Sequence, residues 1–433
     1  MTQKRTILTL SGVRGDTRRY RSFHTYEQLR LAGVECELSH ITDPALPDKV
    51  NRASVTIFHR VAYDPYIKKL LDLIREQKCL ALLDTDDLIF YPPAFQWIDS
   101  PDFQDPVRAS LYQEDMRRNE ETLQACHAIT ASTDYLAEHT RSMDKPSWVH
   151  RNAFSMEMLK ISNKAYHDKK QDYKRVVIGY ASGTPTHDRD FEIAKPAIKW
   201  LLEKYPLAEL WLIGPLNPGD GWESVSNRMK HHDWVPWREL PTLQAQFDIN
   251  LAPLVIDNPF GQSKSEIKYV EAGLVRVPTI ASSTNAFNFA IRPGETGFLA
   301  ADDQEWIDAL TLLVEDPETR VATGERAYQD VLSRYHPAVR ASELVATLNQ
   351  IHEKVYNTPL WELEPEVDRD RFKDNDTLDD WVTWINDVDE RDPTLIQMAR
   401  YSLRHRGPRT LFMNAWIYFR RLVATIIPYR KAD

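Results

Sequence analysis

Residues 175–191 read RVVIGYASGTPTHDRDF, and they decide how the chain is divided. An apolar run through Ala181 breaks at Ser182 and Gly183, and an amphipathic stretch through 190–204 follows. A nearly continuous apolar run is what a strand covered on both faces requires, and a glycine turn leading into a helical pattern marks a βα unit. Just upstream, around 160–174, ISNKAYHDKKQDYK is polar and charged and reads as an interdomain linker. Residue 175 therefore looks like a second beginning.

The same alternation runs in both directions from that point. Upstream, TILTLSG (6–12), VECELSH (34–40), SVTIFHR (54–60) and CLALLDTDD (79–87) have strand character, separated by helical patterns at YEQLRLAG (26–33) and PYIKKLLDLIREQK (65–78). HAITASTDYLAEHT (127–140) reads as a strand followed by a helix capped by Ser132 or Thr133. Downstream, AELWLIG (208–214), FDINLAPL (247–254) and VPTIAS (277–282) are strands, a helix ends at Gly273, and 305–335 is helical. Strands alternating with helices imply parallel sheets. The expectation is an α/β chain of two Rossmann-like domains facing each other across a cleft, 1–160 and 161–345, with a helical C-terminal extension over 346–433.

Bulk properties narrow the function. The 433 residues exceed what one core usually supports. A net charge of −10 argues against nucleic acid as the main partner, since phosphate backbones want a basic face. Cys36, Cys79 and Cys126 are far apart in or beside apolar stretches, as expected of core thiols in a reducing cytoplasm. Neither a signal peptide nor a run long enough to span a bilayer is seen, so the expected location is cytoplasmic. The stretch 404–431 is strongly apolar but interrupted by Arg420 and Arg421. It reads either as a terminal helix packed on the N-terminal domain or as an interfacial helix that would hold the protein at the inner face of the membrane.

Open parallel sheets bind ligands beyond the carboxyl ends of their strands. In the first half those ends carry Gly12, His59 and, in LLDTDDLIF (82–90), the carboxylates Asp84, Asp86 and Asp87. An Asp-x-Asp pair suits a hard divalent cation, but it also suits a sugar-facing role, with Asp87 capping the following turn. In the second half, the turn from Gly179 to Thr184 precedes a helix, where exposed backbone N–H groups and the helix dipole favour a diphosphate. Ser182 and Thr184 can add hydroxyls, and His187 or Arg189 a cationic donor. The alternative is a tight turn in which Thr186 or Asp188 caps the helix. In 258–273, Lys264 near a helix start could neutralise diphosphate charge, and Glu271 could accept from two ribose hydroxyls; alone, each also reads as a surface charge.

Several motifs in order carry a resemblance. They are S-G-x-x-x-x-x-R-x-Y-R from Ser11, D-T-D-D-L-I-F from Asp84, S-G-T-x-T-H-x-x-D-F from Ser182, N-P-F-G-x-x-K-S-E-x-K-Y-x-E-A-G from Asn258, and I-R-P-G-E-T-G-F-L-A from Ile291. Over most of 5–345 the chain resembles the retaining GT-B glycosyltransferases of the "group 1" family, known as family 4, and among them bacterial members that build surface polysaccharide. The resemblance implies transfer of a sugar from a nucleotide-diphosphate donor to a hydroxyl of a glycan or lipid-linked oligosaccharide, with no metal and no other cofactor. It implies that Glu271 holds the donor ribose, that 179–184 with Lys264 and Ser265 hold the diphosphate, and that Gly12 and its neighbours close over the donor. Two departures stand out. Ser263 occupies the position of the first of two family glutamates, for which Glu266 or Lys268 could substitute. Where many relatives place a sugar-contacting histidine, this chain has Asp84, so Asp84, Asp86 or His59 is expected to face the sugar and act in catalysis.

Base recognition is expected near 234–237 or Pro215, and the acceptor near the loop 91–103. Two other readings stand beside this one. A catalytically silent scaffold subunit is suggested by Ser263 and the tail bearing Trp361, Trp381, Trp384 and Trp416; a metal-dependent GT-A-type transferase would be built on Asp84 and Asp86.

Overall fold

The computed structural model describes residues 6–169, 174–367, 381, 382, 385 and 392–408. The first six strands are β1 (Thr6–Ser11), β2 (Cys36–His40), β3 (Ala53–His59), β4 (Leu80–Thr85), β5 (Ala128–Ala131) and β6 (Ser147–Val149). They form one parallel sheet in the order β2-β1-β3-β4-β5-β6. The next six are β7 (Val176–Ala181), β8 (Ala208–Ile213), β9 (Met229–His232), β10 (Ile249–Ala252), β11 (Thr279–Ser282) and β12 (Phe298–Ala300). Their sheet, also parallel, runs β12-β11-β10-β7-β8-β9. Every residue of β1, β4, β5, β10 and β11 is buried, the result of helices on both faces.

Counted from β7, the second sheet has the 3-2-1-4-5-6 order of dinucleotide-binding folds. Its order reverses between β7 and β10; that of the first sheet reverses between β1 and β3. Those two switch points, where the flanking loops part and leave a crevice, face each other across the cleft.

Local chemistry explains the helix boundaries. Asp64 accepts from the backbone N–H of Tyr66 and Ile67 at the start of the helix Pro65–Glu76, and Thr133, rather than Ser132, caps Asp134–Ser142. The helical run expected over 305–335 is two helices, Asp303–Glu315 and Pro317–Tyr335, because Pro317 cannot continue the first and Asp316 caps the second. Much of the expected linker is a helix, Met156–Asp168, whose buried stripe of Met156, Met158, Leu159, Ser162 and Ala165 is partly hidden among polar neighbours in the sequence.

The extension packs back on the N-terminal half. Helix Pro337–Tyr356 lies against His24–Leu31, and Leu344, Leu348 and Ile351 share one apolar cluster with Ile7 and Leu82 of the first sheet and with Leu254 and Tyr269 of the second half. Trp381 Nε1 donates to Glu27 Oε1 at 3.0 Å, Asp392 accepts from the Gly15 amide at 3.0 Å, and the Tyr401 hydroxyl donates to Asp64 at 2.7 Å. Of the stretch 404–431, residues 409–431 lie outside the described residues, as do Trp384 and Trp416. Among the described residues no helix is long and apolar enough to cross a membrane.

Candidate active site

A cavity of about 770 Å³ lies between the two sheets, lined from both halves of the chain. On its N-terminal side, β1 is followed by Gly15 in the left-handed region (φ 80°), a helical turn Asp16–Arg18 and a π-helical turn Arg19–Phe23 that continues into His24–Leu31. A π-turn inserts an extra residue and rotates the side chains that follow. Asp16, Thr17, Arg19 and Tyr20 line the cavity, while Arg21, Ser22 and His24 are buried behind them. The Arg19 guanidinium lies over the rings of Tyr20 (4.2 Å) and Trp237 (4.5 Å). The Tyr20 hydroxyl donates to Glu271 of the opposite half.

The three carboxylates of LLDTDDLIF have three different roles. Asp84 does not face the cleft: it is 3% exposed, accepts from Arg21 Nε at 2.8 Å and Nη2 at 2.5 Å, and takes a third hydrogen bond from Thr130 at 2.7 Å. Burial acts to raise its pKa, and the Arg21 guanidinium overcomes that and holds it below the usual carboxylate value. Arg21 is itself fixed by the His150 carbonyl (2.8 Å) and Asn152 Oδ1 (2.9 Å). The catalytic expectation for Asp84 is therefore corrected to a buried structural ion pair.

Asp86 does line the cavity and accepts from Thr17 Oγ1 at 2.6 Å and Arg60 Nε at 2.8 Å. Against its burial, Arg60 and His59 hold it well below the usual range, so it is a carboxylate. Asp87, expected only to cap a turn, accepts from Arg60 Nη2 at 2.5 Å and from Lys264 Nζ across the cleft at 2.8 Å. Arg60, the residue after β3, reaches both carboxylates from a left-handed backbone conformation (φ 49°).

His59 is 1% exposed and lies behind Asp86, its Nε2 3.3 Å from Thr17 Oγ1 and 3.6 Å from Asp86 Oδ1. It can position Asp86 but does not border the cavity. Gly12 does not border it either. Its amide donates to the His59 carbonyl at 2.9 Å, and a Cβ there would collide with the Arg60 carbonyl, so this glycine lets β1 approach the end of β3. With both Asp84 oxygens held by Arg21, the Asp84/Asp86 pair does not assemble as a metal site. Among the described residues no group of three His, Cys, Asp or Glu side chains could hold a metal ion.

On the opposite wall, Gly179 lies within β7 rather than in the turn, where a Cβ would collide with the Phe247 ring. The turn itself, Ser182 to Thr184, borders the cavity. Ser182 Oγ donates to the Thr184 carbonyl at 2.8 Å, which stiffens the turn, and a Cβ on Gly183 would meet only open space. The turn leads through Pro185–His187 into the helix Asp188–Lys204, so its amides sit at the positive end of a long helix.

His187 Nδ1 is 2.9 Å from Asp190 Oδ2, while Asp190 Oδ1 accepts the Val255 amide at 3.1 Å. Burial pulls the His187 pKa below its usual value despite the Asp190 contact. Arg189, Lys264 and Lys268 supply three cations to this wall, against the carboxylates of Asp190 and Glu271. Lys268 Nζ donates to the Ala181 carbonyl and lies 4.8 Å over the Tyr180 ring. Ser265 accepts from Asn152 Nδ2 of the other half at 2.8 Å.

The structure thus brings together Asp86, Ser182, Gly183, Thr184, His187, Arg189, Lys264, Ser265 and Glu271 on one cavity, and leaves out Asp84, His59, Gly12 and Gly179. Ser263 is fully buried and donates to the Phe260 carbonyl at 2.7 Å. Glu266 is buried too, held by the Tyr335 hydroxyl at 2.9 Å. Of the two residues that could replace the missing glutamate, only Lys268 reaches the cavity. Sequence reasoning gave no role to Arg60, although it is a strand-end residue of the quoted stretch 54–60, or to Tyr20, the tyrosine of the motif that begins at Ser11.

Residues 195–346 match the family model described as Glycosyl transferase-like. No curated protein matches the chain. Among solved structures, sucrose-phosphate synthase from Thermosynechococcus elongatus superposes with a TM-score of 0.56 at 14% identity, over 81% of this chain and 100% of its own. A glycosyltransferase from Rickettsia africae ESF-5 gives 0.55 at 11%, over 81% and 98%, and Anabaena HepE in complex with UDP gives 0.53 at 13%, over 80% and 100%. At such identities the likeness is one of fold: two Rossmann-like domains of GT-B type. The GT-B fold rules out the GT-A-type reading. The glycosyltransferase-like match over 195–346, on a GT-B fold, supports a transferase.

Proposed function

We propose that this transferase moves a sugar, with retention, from a nucleoside-diphosphate sugar to a hydroxyl of a glycan or lipid-linked oligosaccharide, in the synthesis of bacterial surface polysaccharide. The observation that carries the reading is the C-terminal wall. There the open turn at Gly183, the amino end of Asp188–Lys204 and the ammonium groups of Lys264 and Lys268 converge on one side of the cavity, with Glu271 beside them. An anion with two sugar hydroxyls nearby is what such a set of donors and one carboxylate would hold.

In this reading the turn amides and the two lysines stabilise the diphosphate as the glycosidic bond breaks, so the work is electrostatic and is done by side chains. Glu271 accepts from the ribose hydroxyls, and for that the Tyr20 hydroxyl must give way. Asp86, held ionised by Arg60, serves as an acceptor that orients the incoming hydroxyl or stabilises positive charge at the sugar, and not as an acid. His59 and Thr17 fix its orientation. The acceptor's proton passes to the departing phosphate. The apolar, basic stretch 404–431 is proposed to hold the enzyme against the membrane where a lipid-linked acceptor would lie.

The test is release of nucleoside diphosphate from a panel of nucleotide sugars, with and without EDTA. Turnover that survives EDTA is expected, and turnover abolished by EDTA would contradict the role given to the lysines. A second reading, a silent binding subunit, is favoured by Ser263, which leaves the sugar-contacting position without a carboxylate. Nucleotide binding without turnover across the panel would select it.

A further inference from the structure

The chain leaves the first half just after β6, through residues 150–155 and into the helix Met156–Asp168. Two neighbours in that crossing grip two neighbours of the opposite half. Arg151 Nη1 lies 3.4 Å from Glu266 Oε1, and Asn152 Nδ2 donates to Ser265 Oγ at 2.8 Å. Arg151, Asn152 and Glu266 are all buried, whereas Ser265 borders the cavity beside Lys264.

The Asn152 contact can run in one direction only. Arg21 Nη1 donates to Asn152 Oδ1 at 2.9 Å, and a guanidinium has hydrogens to give and no lone pair to offer. The carbonyl end of the amide must therefore face Arg21, which leaves the NH₂ end to Ser265. Arg21 is in turn held in place: Asp84 takes Nε and Nη2, and the His150 carbonyl shares Nη1. A serine hydroxyl has one hydrogen and two lone pairs, so a serine that accepts from Asn152 keeps its hydrogen for another partner.

We propose that Asn152 is a positioning residue of the donor site: fixed by Arg21 and Asp84, it holds Ser265 as an acceptor, so that the serine hydrogen is given to a phosphate oxygen of the nucleoside-diphosphate sugar. The proposal rests on the glycosyltransferase reading and deepens it. Through this relay a buried ion pair of the N-terminal half sets the hydrogen-bond polarity of a group on the C-terminal wall. Both polar atoms of Asn152 are engaged, so it acts through Ser265 and not on the sugar nucleotide itself.

The test is calorimetry on the full chain with UDP, GDP, ADP and dTDP, followed by work with whichever binds. Asn152→Asp keeps the shape and the Arg21 contact but can only accept, so it claims the Ser265 hydrogen and turns a lone pair toward the phosphate. Diphosphate affinity should fall by about tenfold. In a Ser265→Ala background the same substitution should cost about threefold or less, the part due to charge alone. The matching nucleoside, followed by saturation-transfer NMR, should bind all variants equally. Asn152→Leu, a second variant that removes the donor without reversing it, frees the hydroxyl among three rotamers and should cost about threefold, and nothing in Ser265→Ala. For either substitution, the same cost in both backgrounds, no cost in either, or a parallel loss of nucleoside affinity overturns the proposal. Failure of the donor reading shows separately, as absence of binding by all four diphosphates to the unaltered chain, and the proposal falls with it.

Discussion

Arg21 and Asp84 meet where water does not reach, at 1% and 3% side-chain exposure, in a bidentate ion pair. Removing one member of such a pair leaves an uncompensated buried charge. Asp84→Ala is therefore expected to cost about 3–5 kcal/mol in stability, read as a shift of the denaturation midpoint. An unchanged midpoint with lost turnover would restore the catalytic role that the sequence suggests. The histidines nearby tie stability to pH. Burial, reinforced by nearby arginines, depresses His24, His40 and His150 to about 3 from the usual 6.5. Below pH about 6.5 the unfolded chain binds protons that the folded chain refuses, so stability is complete above that value and falls as the pH drops. Asp84 and Asp86, both depressed, act in the same direction, with their contribution lost below the ordinary carboxylate range. The melting temperature should be flat above pH about 7 and decline steadily from pH 6 to 4; a profile flat to pH 4 would mean these histidines are accessible to protons when folded. Asp84 could be recognised as a strand-end residue from sequence. That it turns inward could not, because the arginine that claims it lies 63 positions away, beyond what any local pattern encodes.

At the scale of elements, the strands were the most legible part, since a parallel sheet buried on both faces writes itself as continuous apolar runs. The turn after β7 was legible as a turn but not in extent, because Gly179 is small for the sake of Phe247 and not for a ligand. Helices with a narrow buried face were not. The helix Pro106–Ala125 buries only Met116, Asn119, Thr122 and Leu123, and Met156–Asp168 carries enough lysine and histidine to pass for a linker. The π-turn at Arg19–Phe23 left no signal beyond the basic cluster itself. The donor turn depends on a neighbour: Gly214, at φ 91°, lies so close to the Ser182 carbonyl that a Cβ would collide with it. Gly214→Ala should push the turn out of place, lowering stability by about 1–3 kcal/mol and reducing the thermal shift induced by nucleoside diphosphate more than the loss of stability alone explains. An undiminished shift would separate the turn from nucleotide binding.

Across the whole molecule, the two halves share more than a crevice. Tyr20 with Glu271, Lys264 with Asp87, Asn152 with Ser265 and Asn258 with the Trp97 carbonyl each join one side of the cleft to the other. Helix Pro337–Tyr356 contributes Leu348, fully buried, to the cluster that runs through both. Leu348→Ala is expected to cost about 2–5 kcal/mol by leaving a cavity, measured by chemical denaturation, and a cost near zero would mean that the returning helix is dispensable. The two-domain plan was readable from the restart at residue 175, and a C-terminal extension packing back on the N-terminal domain was one of two readings of the tail; that Pro337–Tyr356 makes this return was not readable, since it depends on partners more than 300 residues away such as Leu29. The central claim is that a nucleotide sits on the C-terminal wall with its ribose on Glu271. Isothermal calorimetry tests it most directly, with the nucleoside diphosphate that the nucleotide-sugar panel selects, on the unaltered chain and on Glu271→Ala: loss of charge-assisted hydrogen bonds worth about 1.5–3 kcal/mol should weaken binding by about 10- to 100-fold, and equal affinity in the two proteins would contradict the account.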